Sequence, residues 1–95
     1  MANITIYRIE YDGEIYYHPK FRKAVSFARQ TMSRFEDKVP LLTLDDTDFM
    51  AKMAEDEIFS DLYIPINEAL EIATEVCSTP EEYKSFLSGV IEQIK

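Results

Sequence analysis

The stretch ITIYRIEYDGEIYYHPKFRKAVSFARQTMSRF, residues 4–35, determines how the rest of the chain folds. Its first part holds two runs rich in β-branched and aromatic residues, at residues 4–11 and 15–17. Such side chains suit a half-buried strand. The Asp12-Gly13 pair between the two runs is typical of a tight hairpin turn. The stretch therefore predicts a β-hairpin at the start of the fold.

The register of this hairpin depends on the length of its loop. A two-residue loop at residues 12–13 would pair Ile9 with Tyr16, whereas a three-residue loop at residues 11–13 would pair Ile9 with Ile15. A shift of one residue moves every side chain to the opposite face of the sheet. We favour the three-residue loop, because it gathers four apolar or aromatic side chains on one face: Tyr7, Ile9, Ile15 and Tyr17.

A helix is predicted directly after the hairpin. Pro19 suits a first helical turn, because its missing N–H would have no partner there. The apolar residues that follow are spaced for one helical face: Phe21, Ala24, Val25, Ala28, Met32 and Phe35. A hairpin and a short helix are each marginal alone in water, so this face should pack on the hairpin.

The middle of the chain predicts a strand, a helix and one ambiguous segment. Residues 40–44 form a short apolar run after a polar break, and we predict a third strand there. Aspartates at residues 45–48 are typical of a helix start, and the helical pattern continues to about Ser60. Residues 62–66 are β-prone, but Pro65 is unsuited to a central strand, so an edge strand and a loop remain open.

Two more helices complete the chain. Asn67 is a suitable N-cap for the first, and Thr79-Pro80 with Glu82 forms a capping box for the second. Gly89 in the last helix either costs about 1 kcal/mol or marks a close approach. The sequence predicts an α+β fold, with a small antiparallel sheet covered by about four helices in the order β-β-α-β-α-α-α.

Length and composition predict one compact domain over residues 1–95, located in the cytoplasm. No apolar run is long enough to cross a membrane, and the lone Cys77 cannot form an internal disulfide. The net charge is −8 and is uneven. Residues 1–34 hold six Lys or Arg against three Asp or Glu, whereas residues 35–95 hold four against fifteen. Such asymmetry predicts a basic partner, and neither DNA nor a membrane as a direct ligand.

No catalytic residue, metal site or cofactor is predicted. His18 and Cys77 are the only residues of their types, and no motif joins them. The aspartates at residues 45–48 lack the glycine and terminal glutamate of a calcium loop, and helix capping accounts for them. Two glycines cannot build a phosphate-binding loop. A small enzyme that uses carboxylates remains a hypothesis, because nothing among eighteen acidic residues selects a catalytic pair.

Our first hypothesis is a non-enzymatic, acidic protein-binding regulator or inhibitor. In its sharpest form it is a nucleic-acid mimic, of the type used by phages and mobile elements, that blocks a nucleic-acid-binding partner. The binding carboxylates would be Asp45, Asp46, Asp48, Glu55, Asp56, Glu57, Asp61, Glu68, Glu71 and Glu75.

An alternative hypothesis is binding of an anion, nucleotide or RNA at the basic helix start. Three cations stand there: Lys20, Arg22 and Lys23. Helix N-termini offer free N–H groups that favour anions. A homodimer that pairs the basic face of one copy with the acidic face of another is compatible with every one of these hypotheses.

Overall fold

A computed structural model describes residues 3–32 and 41–95. Its strands are β1 (Asn3–Tyr11), β2 (Glu14–His18) and β3 (Phe59–Pro65). Its helices are α1 (Phe21–Met32), α2 (Asp46–Glu55), α3 (Ile66–Val76) and α4 (Pro80–Ile94). The strands form one antiparallel sheet in the order β2-β1-β3. The predicted fold class, an α+β fold with a three-stranded antiparallel sheet and four helices, is confirmed.

The sheet carries a hydrophobic cluster on each of its two faces. Ile4 and Ile6 of β1 pack in one cluster with Ala69 and Ala73 of α3 and with residues of α4. Ile9 points to the opposite face, where buried residues of α1 and α2 surround it. β1 contributes to both clusters, because the side chains of a strand alternate between the two faces of the sheet.

The hairpin has a two-residue loop, so the predicted register was wrong. Ile9 lies opposite Tyr16, and Tyr11 lies opposite Glu14. Asp12 and Gly13 have φ values of 55° and 81°, the pair of left-handed conformations that a type I′ turn needs. The three-residue loop would have buried Ile15, which is instead 44% exposed. Tyr16 occupies the inner face, because its ring packs on Phe27 with 4.2 Å between centroids.

The third strand lies at Phe59–Pro65 and not at residues 40–44. Residues 41–43 form a 3₁₀ turn, and residue 40 lies outside the described residues. The guanidinium of Arg29 donates hydrogen bonds to the backbone oxygens of Leu42, at 2.6 Å, and of Leu44. These carbonyls therefore accept hydrogen bonds from the Arg29 side chain and not from the backbone of a neighbouring strand. The strand follows α2 in the chain, and the open choice for residues 62–66 resolves as an edge strand that ends at Pro65.

The predicted helix starts agree in part with the structure. Asp45 caps α2 by accepting from the N–H of Asp48 at 2.8 Å, and Thr79 caps α4. α3 begins at Ile66 after Pro65, so Asn67 is not its cap. Pro19 precedes α1, which begins two residues later. The Phe35 position predicted for the apolar face of α1 lies outside the described residues.

α2 ends at Glu55, earlier than the predicted Ser60, because the chain turns sharply at Glu57. Glu57 has a φ of 60°, the left-handed conformation that most often belongs to glycine at a helix end. The N–H of Glu57 donates to Ala54 O at 3.1 Å, and the N–H of Ile58 donates to Met53 O at 2.9 Å. These two bonds define a Schellman motif, which directs the chain into β3.

Candidate functional site

The ten acidic residues that the sequence singles out form what we call the acidic surface. They are all exposed: Asp45, Asp46, Asp48, Glu55, Asp56, Glu57, Asp61, Glu68, Glu71 and Glu75. They lie on α2 and its two ends, on β3, and on α3. The structure thus places them on three consecutive elements, of which α2 and α3 cover opposite faces of the sheet, and none of them takes part in the two hydrophobic clusters.

Only two carboxylates of the acidic surface form an ion pair within the described residues. Asp46 lies 3.4 Å from the guanidinium of Arg29, and Glu55 lies 3.4 Å from the ammonium of Lys52. The negative charge of Asp45 raises the pKa of Asp48 above its ordinary value, which is direct repulsion between neighbours. The acidic surface therefore keeps most of its charge uncompensated, and it favours any cationic group that approaches.

Glu57 is a second sign that charge outweighs stability on this surface. An L-residue other than glycine in the left-handed conformation costs about 1 kcal/mol. Glycine would remove that cost at the end of α2, yet the chain carries a glutamate there. Strained positions of this kind are more frequent at functional sites than elsewhere.

The structure separates the three cations of the basic helix start. The ammonium of Lys20 lies 2.9 Å from the carboxylate of Glu92 on α4. The ammonium of Lys23 donates a hydrogen bond to the hydroxyl of Ser85. Lys20 and Arg22 line one cavity of about 550 Å³, whereas Lys23 lines another. The three cations therefore do not converge on one anion-sized site, and Lys20 already has an acidic partner.

His18 and Cys77 line the second cavity, a groove of about 730 Å³ between β2, α1 and the turn that joins α3 to α4. Burial, and then the charge of Lys23, lowers the pKa of His18, and its Nε2 atom is buried with no hydrogen-bond partner among the described residues. Burial and the neighbouring Glu82 raise the pKa of Cys77. A nucleophilic cysteine needs the opposite shift, so this thiol stays protonated at neutral pH.

Gln93, which the sequence did not single out, positions the sheet against α4. The side-chain amide of Gln93 accepts from the N–H of Thr5 and donates to Thr5 O, each at 2.8 Å. It also donates to the backbone oxygen of Pro19. Beyond the end of β2, Gln93 thus pairs with β1 as a neighbouring strand would. A polar residue near a chain end carries no signal for such a contact.

The described residues contain no group of three or more His, Cys, Asp or Glu side chains that could hold a metal ion. Across residues 3–32 and 41–95, no helix combines the length and apolar character that crossing a membrane requires. Comparisons of the chain with protein-family models, with curated proteins and with solved structures found no match.

Proposed function

We propose that the chain is a non-enzymatic protein-binding regulator or inhibitor whose acidic surface contacts a basic partner. The observation that carries this proposal is the exposure of all ten carboxylates, of which only Asp46 and Glu55 have an ion-pair partner in the described part of the chain. Unpaired surface charge of one sign raises the association rate with a partner of the opposite sign and suppresses wrong partners.

In its sharper form the proposal is a nucleic-acid mimic that blocks a nucleic-acid-binding protein. The analogy is with small acidic proteins of phages and mobile elements, and it rests on composition alone. The carboxylates follow one another in chain order along α2, β3 and α3, and a nucleic-acid-binding cleft accepts a succession of negative charges. Competition between this chain and DNA for the same partner is the property that separates a mimic from other acidic regulators.

The test combines affinity capture with competition. The immobilised chain is exposed to lysate of its source organism at low salt, and bound proteins are then eluted with high salt or with double-stranded DNA. We expect basic proteins that high salt releases, because the Debye length falls from about 8 Å at physiological ionic strength to about 3 Å at about 1 M salt. Release by DNA supports the mimic, whereas release by salt alone supports a different acidic regulator.

A matched pair of variants separates the acidic surface from net charge. The test variant is Glu68→Gln/Glu71→Gln/Glu75→Gln on α3, and the control is Asp12→Asn/Glu14→Gln/Glu81→Gln, which removes the same number of charges elsewhere. All six side chains are exposed, so neither variant disturbs the core. The proposal expects weaker capture from the first variant alone. Equal capture by both variants would refute it.

A further inference from the structure

One edge of β3 has no strand beside it among residues 3–32 and 41–95, and the hydrogen bonds to β1 determine which backbone groups face this edge. The N–H of Glu10 donates to Ile58 O at 2.8 Å, so Ser60, Leu62 and Ile64 continue the ladder towards β1. The alternate residues turn their backbone groups the other way: Phe59, Asp61, Tyr63 and Pro65. The N–H groups and carbonyls of Phe59, Asp61 and Tyr63 therefore point to an edge on which no described strand lies, whereas Pro65 caps α3 with its carbonyl.

The side chains along this edge differ between the two faces of the sheet. Tyr63 is 74% exposed and Asp61 is also exposed, and both lie on the same face. Leu62 and Ile64 lie on the opposite face and are half-buried. A strand added here would therefore meet an aromatic ring and a carboxylate on one face and apolar surface on the other.

The charges around the edge are acidic. Proteins commonly protect an edge strand with lysine, with a bulge or with a covering element. β3 carries no lysine, and within the strand itself only the terminal Pro65 resembles such protection. Glu57 lies just before the strand, Asp61 within it, and Glu68 just after it. The edge thus repels an acidic segment and attracts a basic one.

From these observations we propose that β3 binds an extended basic segment of the partner as a fourth, antiparallel strand, which deepens the proposed function and depends on it. Backbone hydrogen bonds to Phe59, Asp61 and Tyr63 would supply affinity. The alternation of side chains along the added strand would supply specificity. Lys or Arg side chains would lie opposite Asp61 and Tyr63, and apolar side chains would lie beside Leu62 and Ile64 on the other face.

A second copy of this chain fits the edge less well. Two β3 strands paired antiparallel would bring Asp61 of each copy near that of the other, along with the flanking Glu57 and Glu68. Like charges placed opposite one another in a sheet are destabilising. The outer edge of β2 differs in its surroundings, because residues of α1, of α4 and of the turn between α3 and α4 line a groove beside it, among them Phe27 and Phe86.

The experiment measures amide hydrogen exchange by NMR with a defined peptide, acetylated and amidated, of about nine residues in which lysine alternates with valine. In the free chain, the N–H groups of Phe59, Asp61 and Tyr63 should exchange rapidly. The peptide should slow the exchange of these three amides selectively, because Leu62 and Ile64 are already protected by β1. Protection in the free chain that rises with its concentration would assign the edge to a second copy and overturn the proposal.

Backbone methylation of the peptide supplies a control with unchanged charge. The lysines pair directly with Asp61 and Tyr63, so their N–H groups face β3 and those of the valines face away. Methylation of the backbone nitrogens of the lysines should weaken binding about tenfold or more, since it removes several hydrogen bonds to β3. Methylation of the backbone nitrogens of the valines should leave the affinity within about twofold of that of the unmethylated peptide. Equal effects, or the reverse order, would refute the antiparallel strand.

Two variants of the chain complete the test. Tyr63→Pro removes one outward N–H without touching the ladder to β1, and Asp61→Lys repels the peptide while keeping every backbone group. Both should lose peptide binding, and either alone suffices if the other fails to fold. If the peptide binds neither chain nor variants, but capture of a basic partner still depends on Glu68, Glu71 and Glu75, strand addition is refuted and the proposed function stands.

Discussion

Replacement of Gly89 by alanine tests whether α4 and the start of α1 are in direct contact. Gly89 is buried in the middle of α4, where a Cβ atom would lie 2.6 Å from Pro19 Cγ and 3.0 Å from Lys20 Cγ. Carbon atoms do not approach so closely without displacement, and the ring of a buried proline cannot rotate away. The glycine therefore lets two elements pack that are far apart in the sequence.

Two opposing effects determine the sign of the change in stability. Alanine in place of a glycine in a helix interior gains about 1 kcal/mol, because glycine loses more backbone entropy on folding. An extra carbon in a close-packed site costs about 1–3 kcal/mol. The contact with a rigid ring places the packing cost of Gly89→Ala in the upper half of this range, at about 2–3 kcal/mol. After subtraction of the gain of about 1 kcal/mol, the free energy of unfolding should fall by about 1–2 kcal/mol.

Urea denaturation followed by circular dichroism measures this difference, and the melting temperature should fall by about 4–8 °C per kcal/mol. Ser88→Ala is the matched control, because Ser88 is the exposed neighbour of Gly89 on the same helix. The control should change stability by no more than about 0.5 kcal/mol. If Gly89→Ala raised stability by about 1 kcal/mol, as on an open helix, the contact with Pro19 would be disproved.

Four further predictions follow from individual residues. The free energy of unfolding should decline as the pH falls below about 6.5, because burial lowers the pKa of His18 in the folded state and the unfolded chain then binds the proton more readily. Denaturation at about pH 7.5 and at about pH 5.5 measures this decline, and His18→Leu should remove the part that His18 contributes. Gln93→Ala should lower the free energy of unfolding by about 1–3 kcal/mol, through the loss of its three hydrogen bonds, with unchanged stability as the contrary result. Phe49→Ala should cost about 3–5 kcal/mol in the same assay, since the ring is fully buried and lies 4.6 Å from the Arg29 guanidinium; a loss below about 1 kcal/mol would contradict that packing. Glu57→Gly should stabilise the chain by about 1 kcal/mol and weaken capture of a basic partner, and stronger capture would argue against a binding role for this carboxylate.

Much of the fold was predictable because its signals are local. The Asp12-Gly13 turn, the Asp45 cap of α2 and the Thr79 cap of α4 each depend on a few adjacent residues, and all three lie where the sequence placed them. The exposure of the ten carboxylates was also predictable, since charged side chains rarely leave the surface. Their grouping on three consecutive elements required only the order of the helices and strands.

The remaining features depend on contacts between distant parts of the chain. The position of β3 follows from its pairing with β1, more than fifty residues earlier, whereas the apolar run near Leu42 is held by Arg29 instead. The hairpin register agrees with the local preference of Asp12-Gly13 for a two-residue type I′ turn, which the apolar pattern of the strands outweighed in the prediction, and Tyr16 packs on Phe27 in that register.

The sequence by itself therefore determined the position of the hairpin turn, the starts of α2 and α4, the fold class and the distribution of charge, because each depends on neighbouring residues or on composition. Only the tertiary structure decided which strand lies beside β1, why Gly89 must lack a side chain, and that Gln93 completes the sheet. The physical reason is that burial and hydrogen-bond pairing are properties of surfaces that meet only after the chain has folded.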